Sequence, residues 1–281
     1  MVDVDLPSRE SEKLLERRVS FDPVAAVYDR VRHSYPLEAF GDLFSYLRAG
    51  GLAVSRSPEV VEIGPGTGKA TQSLLDCGAT VVGVELGVRM AAFLRAKFAG
   101  VAQLSVLQAP FESVDLALSS CDVVFAATAF HWVDAAVRVS RAVEVLRPRG
   151  VLATLSTIQV EAETSRGFFE RGRPIYKRYR MDDAHDYVAP VPEEAVAPEY
   201  DEFAASPLLV EAVFHRYRWD QTYSTAQYSD LMRSYSNMQM MPADQREALI
   251  AELCELVDDE LGGQVVRPLV IVLSMARRAE A

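Results

Sequence analysis

The sequence predicts an α/β fold: a doubly wound, mostly parallel sheet with an inserted helical cap. Three observations carry that prediction. β-Branched runs alternate with helical segments up to residue 158, the pattern of a parallel sheet wound by right-handed crossovers. The first run, Val60-Val61-Glu62-Ile63, meets glycines at Gly64, Gly66 and Gly68 and passes at once into an apolar helix, Ala70 to Leu75. After residue 158 the periodicity changes, and residues 159–205 carry no strand signal.

Strand, tight loop and helix together form the opening unit of a nucleotide-binding sheet. Gly64 and Gly66 let the backbone turn sharply beside a ligand, and Gly68 lets the start of the helix pack close to it. The first N–H groups of that helix have no internal partners and face whatever lies over the loop. Spacing separates three loop chemistries. A P-loop, G-x-x-x-x-G-K-[ST], needs glycine where Ile63 stands and a hydroxyl where Ala70 stands. A dinucleotide fingerprint, G-x-G-x-x-G, needs glycine at Lys69. The chain offers E-x-G-x-G-x-G instead, led by Glu62. The next run, Thr80 to Glu85, ends in a carboxylate about 20 residues past the loop, the place of a ribose-binding acid. Glu85 there can accept both hydroxyls of an adenosine ribose that lacks a 2′-phosphate; the bland alternative is a solvated strand end.

The remaining elements follow in order. Residues 1–20 are charged and expected to fray, with a short helix from Glu10 to Arg18. Phe21, Val24, Tyr28 and Val31 recur at helical spacing around Pro23, which predicts an amphipathic helix on the sheet. Residues 37–50 read as a helix closed by Gly50-Gly51. Val88 to Phe98 is a helix with Met90, Leu94 and Phe98 facing inward, and Leu104 to Gln108 is a third strand. Asp122 to Ala127 is a fourth strand, and a helix from Ala135 to Leu146 is expected to stop at Arg147-Pro148-Arg149-Gly150. Val151 to Ser156 is a fifth strand. The cap contains a basic run, an acidic run and Pro190, Pro192 and Pro198. Leu208 to Trp219 resumes strand character, and Tyr228 to Tyr235 and Ala243 to Leu261 read as helices. Val270 to Met275 closes the sheet, beginning no earlier than Pro268, because proline cannot donate to a central ladder. The chain thus divides into an N-terminal extension at 1–20, a cofactor-binding core at 21–158, a cap insertion at 159–207 and a C-terminal part at 208–281. The last part completes the sheet and contributes to the cap.

Composition bounds the partners. The 281-residue chain is 49% hydrophobic and 25% charged, ordinary for a soluble globular enzyme. A chain of this size buries roughly 70–75% of its unfolded surface, so no disulfide or metal staple is required. Its net charge of −11 disfavours DNA, bulk RNA and anionic membranes. Cys77, Cys121 and Cys254 are scattered without C-x-x-C spacing and read as reduced thiols of a cytoplasmic protein. The N-terminal residues lack the basic and apolar regions of a signal peptide, and no run of 18 uncharged apolar residues is present.

The E-x-G-x-G-x-G loop resembles motif I of class I S-adenosylmethionine-dependent methyltransferases. Glu62 to Gly68, Glu85, Phe111-Glu112 and the stretch AATAFHWVD at 126–134 are together similar to the methyltransferase-11-like and trans-aconitate-methyltransferase-like subgroup. The segment from Phe21 to Pro36 resembles the FD..A..YD..R..YP lead-in helix of such proteins, with His33 where the pattern has proline, and SYSNMQMMPADQREAL at 234–249 is also similar. The match covers 21–158 well and 208–278 loosely, and hardly touches the cap. The resemblance implies a seven-stranded class I methyltransferase sheet, S-adenosylmethionine as cofactor and S-adenosylhomocysteine as its product. It implies cofactor contacts at Tyr28, Arg32, Glu62, Gly64, Gly66, Gly68, Glu85, Leu86, Ala109, Pro110, Phe111 and Thr128. Tyr28 and Arg32 would fold over the methionine end, and Ala109 to Phe111 would line the adenine pocket.

Methyl transfer is an in-line displacement in which the protein mainly aligns nucleophile, methyl and sulfur and excludes water. His131 stands at a carboxyl strand end, where ligands lie in open α/β sheets. It reads as a general base for a hydroxyl acceptor, or as a structural histidine packed on Trp132. Phe130, Trp132, Phe169, Arg173 and Tyr176 are the expected substrate residues. Arg166, Arg171, Arg173, Lys177, Arg178 and Arg180 form a basic cluster that could hold a substrate anion; a solvated helical face with pairs such as Glu170–Arg173 is the plainer reading. No metal site is expected, since the histidines lack companions at ligand spacing. The expected activity is methyl transfer to a small molecule, at a hydroxyl or phenol oxygen rather than a carboxylate. A regulatory cofactor-binding protein of the same fold, a small-acid methyltransferase and a nicotinamide-dependent reductase are the alternatives. A monomer or homodimer is expected.

Overall fold

The computed structural model describes residues 25–51, 57–181, 189–197 and 202–280. Phe21 and Val24, the helix expected from Glu10 to Arg18, and Pro198 of the cap lie outside the described residues.

Five parallel strands form the core: β1 (Glu59–Ile63), β2 (Thr80–Glu85), β3 (Leu104–Gln108), β4 (Cys121–Ala127) and β5 (Leu146–Glu161). Two long antiparallel strands, β7 (Leu209–Ser224) and β8 (Gln264–Arg278), extend the sheet to the order β3-β2-β1-β4-β5-β8-β7. A two-residue strand, β6 (Val191–Pro192), pairs with the end of β5, so eight strands are joined in all.

Alternate residues of each strand feed opposite faces of the sheet. Val60, Val81, Val123 and Val151 meet α2 (Leu37–Ala49) and α3 (Lys69–Asp76) on one side. Val61, Val84, Val124 and Leu152 meet α5 (Arg138–Val145), the helix after β4, on the other. Helix α2 has no side-chain cap at Pro36, and caps are worth about 1 kcal/mol. Its stripe of Phe40, Leu43, Phe44 and Leu47 is buried, each side chain contributing about 1.5–3 kcal/mol, so packing holds the helix. Before α2, the short α1 (Ala25–Val31) carries Tyr28; α4 (Val88–Lys97) follows β2.

The cap has a separate core. Helices α6 (Phe168–Arg178), α8 (Thr225–Arg233) and α10 (Ala243–Leu261) pack Phe168, Tyr228, Leu231, Leu253 and Val257 together. The short α9 (Ser236–Met240) adds Met238 to it, whereas α7 (Glu202–Ala205) packs Phe203 against Phe130 in the sheet core. Helix α1 joins core to cap: Asp29 pairs with Lys97 of α4 at 2.7 Å, and Arg30 with Asp230 of α8 at 2.8 Å.

Four expectations differ from the structure. The helix expected from Ala135 begins at Arg138, because Asp134 accepts the Ala136 N–H at 2.9 Å and holds a turn first. The Arg147–Gly150 stop lies inside β5: the chain is already extended at Leu146, and Arg149 at φ 62° falls in the register shift opposite Cys121 and Val123. Residues 159–205 do carry strand, since β5 continues to Glu161 and receives β6. Pro268 lies within β8, one residue before Leu269, whose partner Gln159 closes the β5–β8 ladder. Its carbonyl faces that side and accepts from Gln159 Nε2 at 2.5 Å. Nitrogen and carbonyl of one strand residue share an edge, so the missing N–H removes no ladder bond.

Candidate functional site

The carboxyl ends of β1, β2 and β4 open into a cavity of about 560 Å³, roofed by α1 and the cap. Gly64 turns the chain out of β1 at φ 60°, and a Cβ there would stand 2.8 Å from Ala129 Cβ. Gly68 has φ 83°, and its Cβ would stand 2.4 Å from Phe98, so the loop is pressed between two neighbours at positions only glycine tolerates.

Glu85 ties the loop to the next strand. Its carboxylate accepts Gly66 N–H at 2.9 Å on one oxygen and Gly87 N–H at 2.8 Å on the other. A carboxylate has about four acceptor sites, so each oxygen keeps capacity toward the cavity it lines. Glu62 is buried and accepts the Thr71 hydroxyl at 2.6 Å. Burial pushes its pKa up to about 8 against the Thr71 bond, and the nearby Glu85 charge adds to the rise. Leu86, Met90, Ala109 and Phe111 give this end apolar walls. A pair of carboxylates, a pinched glycine loop and a flat apolar slot suit an adenosine ligand.

The middle of the cavity is built after β4. Thr128 has φ 51°, unusual for a β-branched residue, and is held by its N–H to Leu155 O at 2.7 Å and its hydroxyl to Tyr35 at 2.9 Å. A short 3-10 turn (Phe130–Trp132) then presents His131 and Trp132, with rings 4.8 Å apart, to the cavity. His33 also lines it; burial lowers its pKa to about 4 despite the Nδ1 contact with Ser34 O, so its imidazole is neutral.

The far end is aromatic and cationic. Arg267 of β8 lines the cavity, donates from Nε to Gln159 Oε1 at 2.6 Å, and lies 5.2 Å from the Phe169 ring and 5.9 Å from Tyr228. Burial disfavours its cation, yet the phenols of Tyr235, Tyr228, Tyr176 and Tyr223 raise its pKa further. Arg32 stacks on Tyr235 at 4.2 Å and donates to the Ser234 hydroxyl and carbonyl, each at 3.0 Å. Burial raises the Tyr235 pKa, but the two guanidinium groups outweigh it and bring it below the ordinary value.

Of the expected residues, the cavity brings together Tyr28, Arg32, Glu62, Gly64, Gly66, Glu85, Leu86, Ala109, Phe111, Thr128, His131, Trp132 and Tyr176. Gly68 packs behind the loop, and Pro110 is not a wall residue. Phe130 is buried against Phe203 and Arg138 rather than facing the cavity. Phe169 stands behind Arg267. Arg173 is exposed on α6, outside the cavity lining. The basic cluster instead joins helices: Arg171 pairs with Glu260 at 2.9 Å, and Arg178 pairs with Glu252. Among the described residues no group of His, Cys, Asp and Glu could hold a metal ion.

Residues 61–154 match the methyltransferase domain family. A protein of Mycobacterium tuberculosis, named an uncharacterized methyltransferase, is 37% identical over 134 residues, 48% of this chain and 50% of the relative. A similarly named protein of Schizosaccharomyces pombe is 24% identical over 244 residues, 85% of this chain and 87% of its own. The chain thus spans about half the length of the curated relatives it matches most strongly. Among solved structures, phosphoethanolamine N-methyltransferase 2 of Haemonchus contortus aligns with a TM-score of 0.54 at 14% identity, covering 98% of this chain and 61% of that one. That structure contains S-adenosylhomocysteine. The sheet order and these matches define a mixed α/β class I methyltransferase fold. The family match of residues 61–154 falls on β1 to β5 of that sheet.

Proposed function

We propose that the protein transfers a methyl group from S-adenosylmethionine to a hydroxyl or phenol oxygen of a small molecule. The observation that supports it most is the Glu85 carboxylate, fixed by the N–H groups of Gly66 and Gly87 at the edge of the cavity. Glu85 would take the ribose, Leu86, Ala109 and Phe111 the adenine, and Tyr28, Arg32 and Glu62 the methionine end. Glu62, largely protonated in the free protein, gives up its proton when a cation settles beside it. When bound, S-adenosylmethionine supplies an activated methyl on a sulfonium and leaves as neutral S-adenosylhomocysteine.

His131 reaches the same cavity from the end of β4 and takes the proton of the acceptor hydroxyl. The cap and α1 exclude water, which leaves the acceptor oxygen unhydrated. The rival is a cofactor-binding regulator that never turns over. Incubation with a methyl-labelled donor and a panel of hydroxylated metabolites, read by mass spectrometry, separates the two. The proposal expects labelled product with matching release of S-adenosylhomocysteine. Tight cofactor binding without product on any acceptor supports the regulator.

A further inference from the structure

We propose that Arg267 is the specificity-determining anion contact of the acceptor subsite. The acceptor is then a hydroxy acid whose carboxylate is the handle and whose hydroxyl is methylated. This rests on the methyl-transfer reading above and adds the acceptor's chemistry to it.

Arg267 interrupts an apolar strand: Val265, Leu269, Val270 and Ile271 around it are buried. Other arginines held inside the fold meet carboxylates, as Arg277 does with Glu211 at 2.7 Å and Arg138 with Glu202 at 2.6 Å. Among the described residues no carboxylate pairs with Arg267; Gln159 takes its Nε, and the Tyr235 phenol accepts a further bond. Arg267 is half-buried in the cavity wall, and a partly desolvated cation is costly unless it is matched. Aromatic rings and phenol oxygens offset part of that expense and leave the guanidinium facing open cavity. A planar carboxylate completes it. Arg32, the other guanidinium at this end, is taken up by the Ser234 hydroxyl and carbonyl and by the Tyr235 ring, so a phosphate dianion would keep one charge unmatched against Arg267, and the carboxylate is favoured.

Position assigns this contact to the acceptor rather than the cofactor. Glu85 and Glu62 leave β2 and β1, whereas β8 lies three strands beyond β1 in the sheet order, about 14 Å away at ~4.8 Å per strand. His131 follows β4, between the two ends. A carboxylate clamped at Arg267 is two strands from β4, about 10 Å, so a different oxygen of the same molecule meets His131.

The test uses full-length protein saturated with S-adenosylhomocysteine. Calorimetry measures binding of aromatic and aliphatic hydroxy acids, their matched amides and inorganic phosphate. At least one acid is expected to bind at least tenfold more tightly than its amide and than phosphate. Arg267→Gln is expected to weaken that acid by about 10- to 100-fold, as for a lost charged hydrogen bond, with S-adenosylhomocysteine affinity unchanged. Arg267→Lys, should the glutamine variant not fold, keeps the preference for acid over amide at reduced affinity. With a methyl-labelled donor, the product is expected to survive alkali as an ether; a label released by alkali marks an ester and overturns the handle assignment. Amides binding as well as acids, phosphate binding best, no acid binding, or acids bound equally by Arg267→Gln would each overturn the proposal. Failure of the wild-type protein to bind S-adenosylhomocysteine would instead sink the methyl-transfer reading on which it rests.

Discussion

Glu62 and His33 titrate in opposite senses, and both face the cavity. Folded Glu62 holds its proton up to about 8, while the unfolded side chain releases it near 4.5. Between those values the folded state binds more protons, so this group makes stability fall as pH rises, by at most about 1.4 kcal/mol per pH unit. His33 stays neutral down to about 4 in the fold but protonates near 6.5 when unfolded, so its contribution is lost as pH falls through that window. Thermal melts of the cofactor-free protein are expected to show Glu62→Gln losing less stability than wild type between pH 5 and 8. Parallel slopes would mean that Glu62 is ionised in the fold. His131→Gln is expected to slow transfer to a hydroxyl acceptor by about 10²–10⁴-fold with little change in cofactor affinity. Unchanged turnover and an unshifted pH profile would remove His131 from the mechanism.

Helices α1 and α2 sit side by side in sequence but are held differently. Phe40 of α2 is buried and meets Phe125 with ring centres 5.9 Å apart, so Phe40→Ala is expected to cost about 3–5 kcal/mol. The Arg30–Asp230 pair that docks α1 is exposed, and Arg30→Ala is expected to cost under about 1 kcal/mol. Denaturant melts of the two variants measure the contrast; equal losses would contradict this account of the docking. The same distinction explains what the sequence revealed. Apolar runs and glycine turns are local, so β1 to β4, the loop and the place of Glu85 could be read directly. Long-range pairing was hidden. Pro268 reads as a strand stop until the β5–β8 ladder is seen to end at Leu269, one residue short of it, and that misreading also concealed Arg267. A lone charge inside Val265 to Leu273 was the available signal, since such a residue needs a partner or a cavity. The conspicuous basic run on α6 was instead matched by acids on α10, far away in sequence.

Across the molecule the sheet order sorts the chemistry. Carboxylates stand at the ends of β1 and β2, the histidine follows β4, and the caged arginine sits on β8. A protein of net charge −11 thus keeps one end of its cavity cationic and the other anionic, which orients two small ligands head to head. Helix α1 and the Arg32 that follows it bridge core and cap through Asp29–Lys97 and Arg32–Ser234, and both lie at the cavity that a ligand would fill. A ligand at 100 times its Kd is then expected to stabilise the fold by about 2.7 kcal/mol. The central claim is that the Glu85 end of the cavity binds an adenosyl cofactor. Calorimetric titration of the wild-type protein and Glu85→Ala with S-adenosylhomocysteine, with NAD as control, tests it most directly. The account predicts saturable one-to-one binding to wild type, weakened by about 1.5–3 kcal/mol in a folded Glu85→Ala, and no binding of NAD. Absence of adenosyl binding to wild type, or undiminished binding to a folded Glu85→Ala, would contradict it.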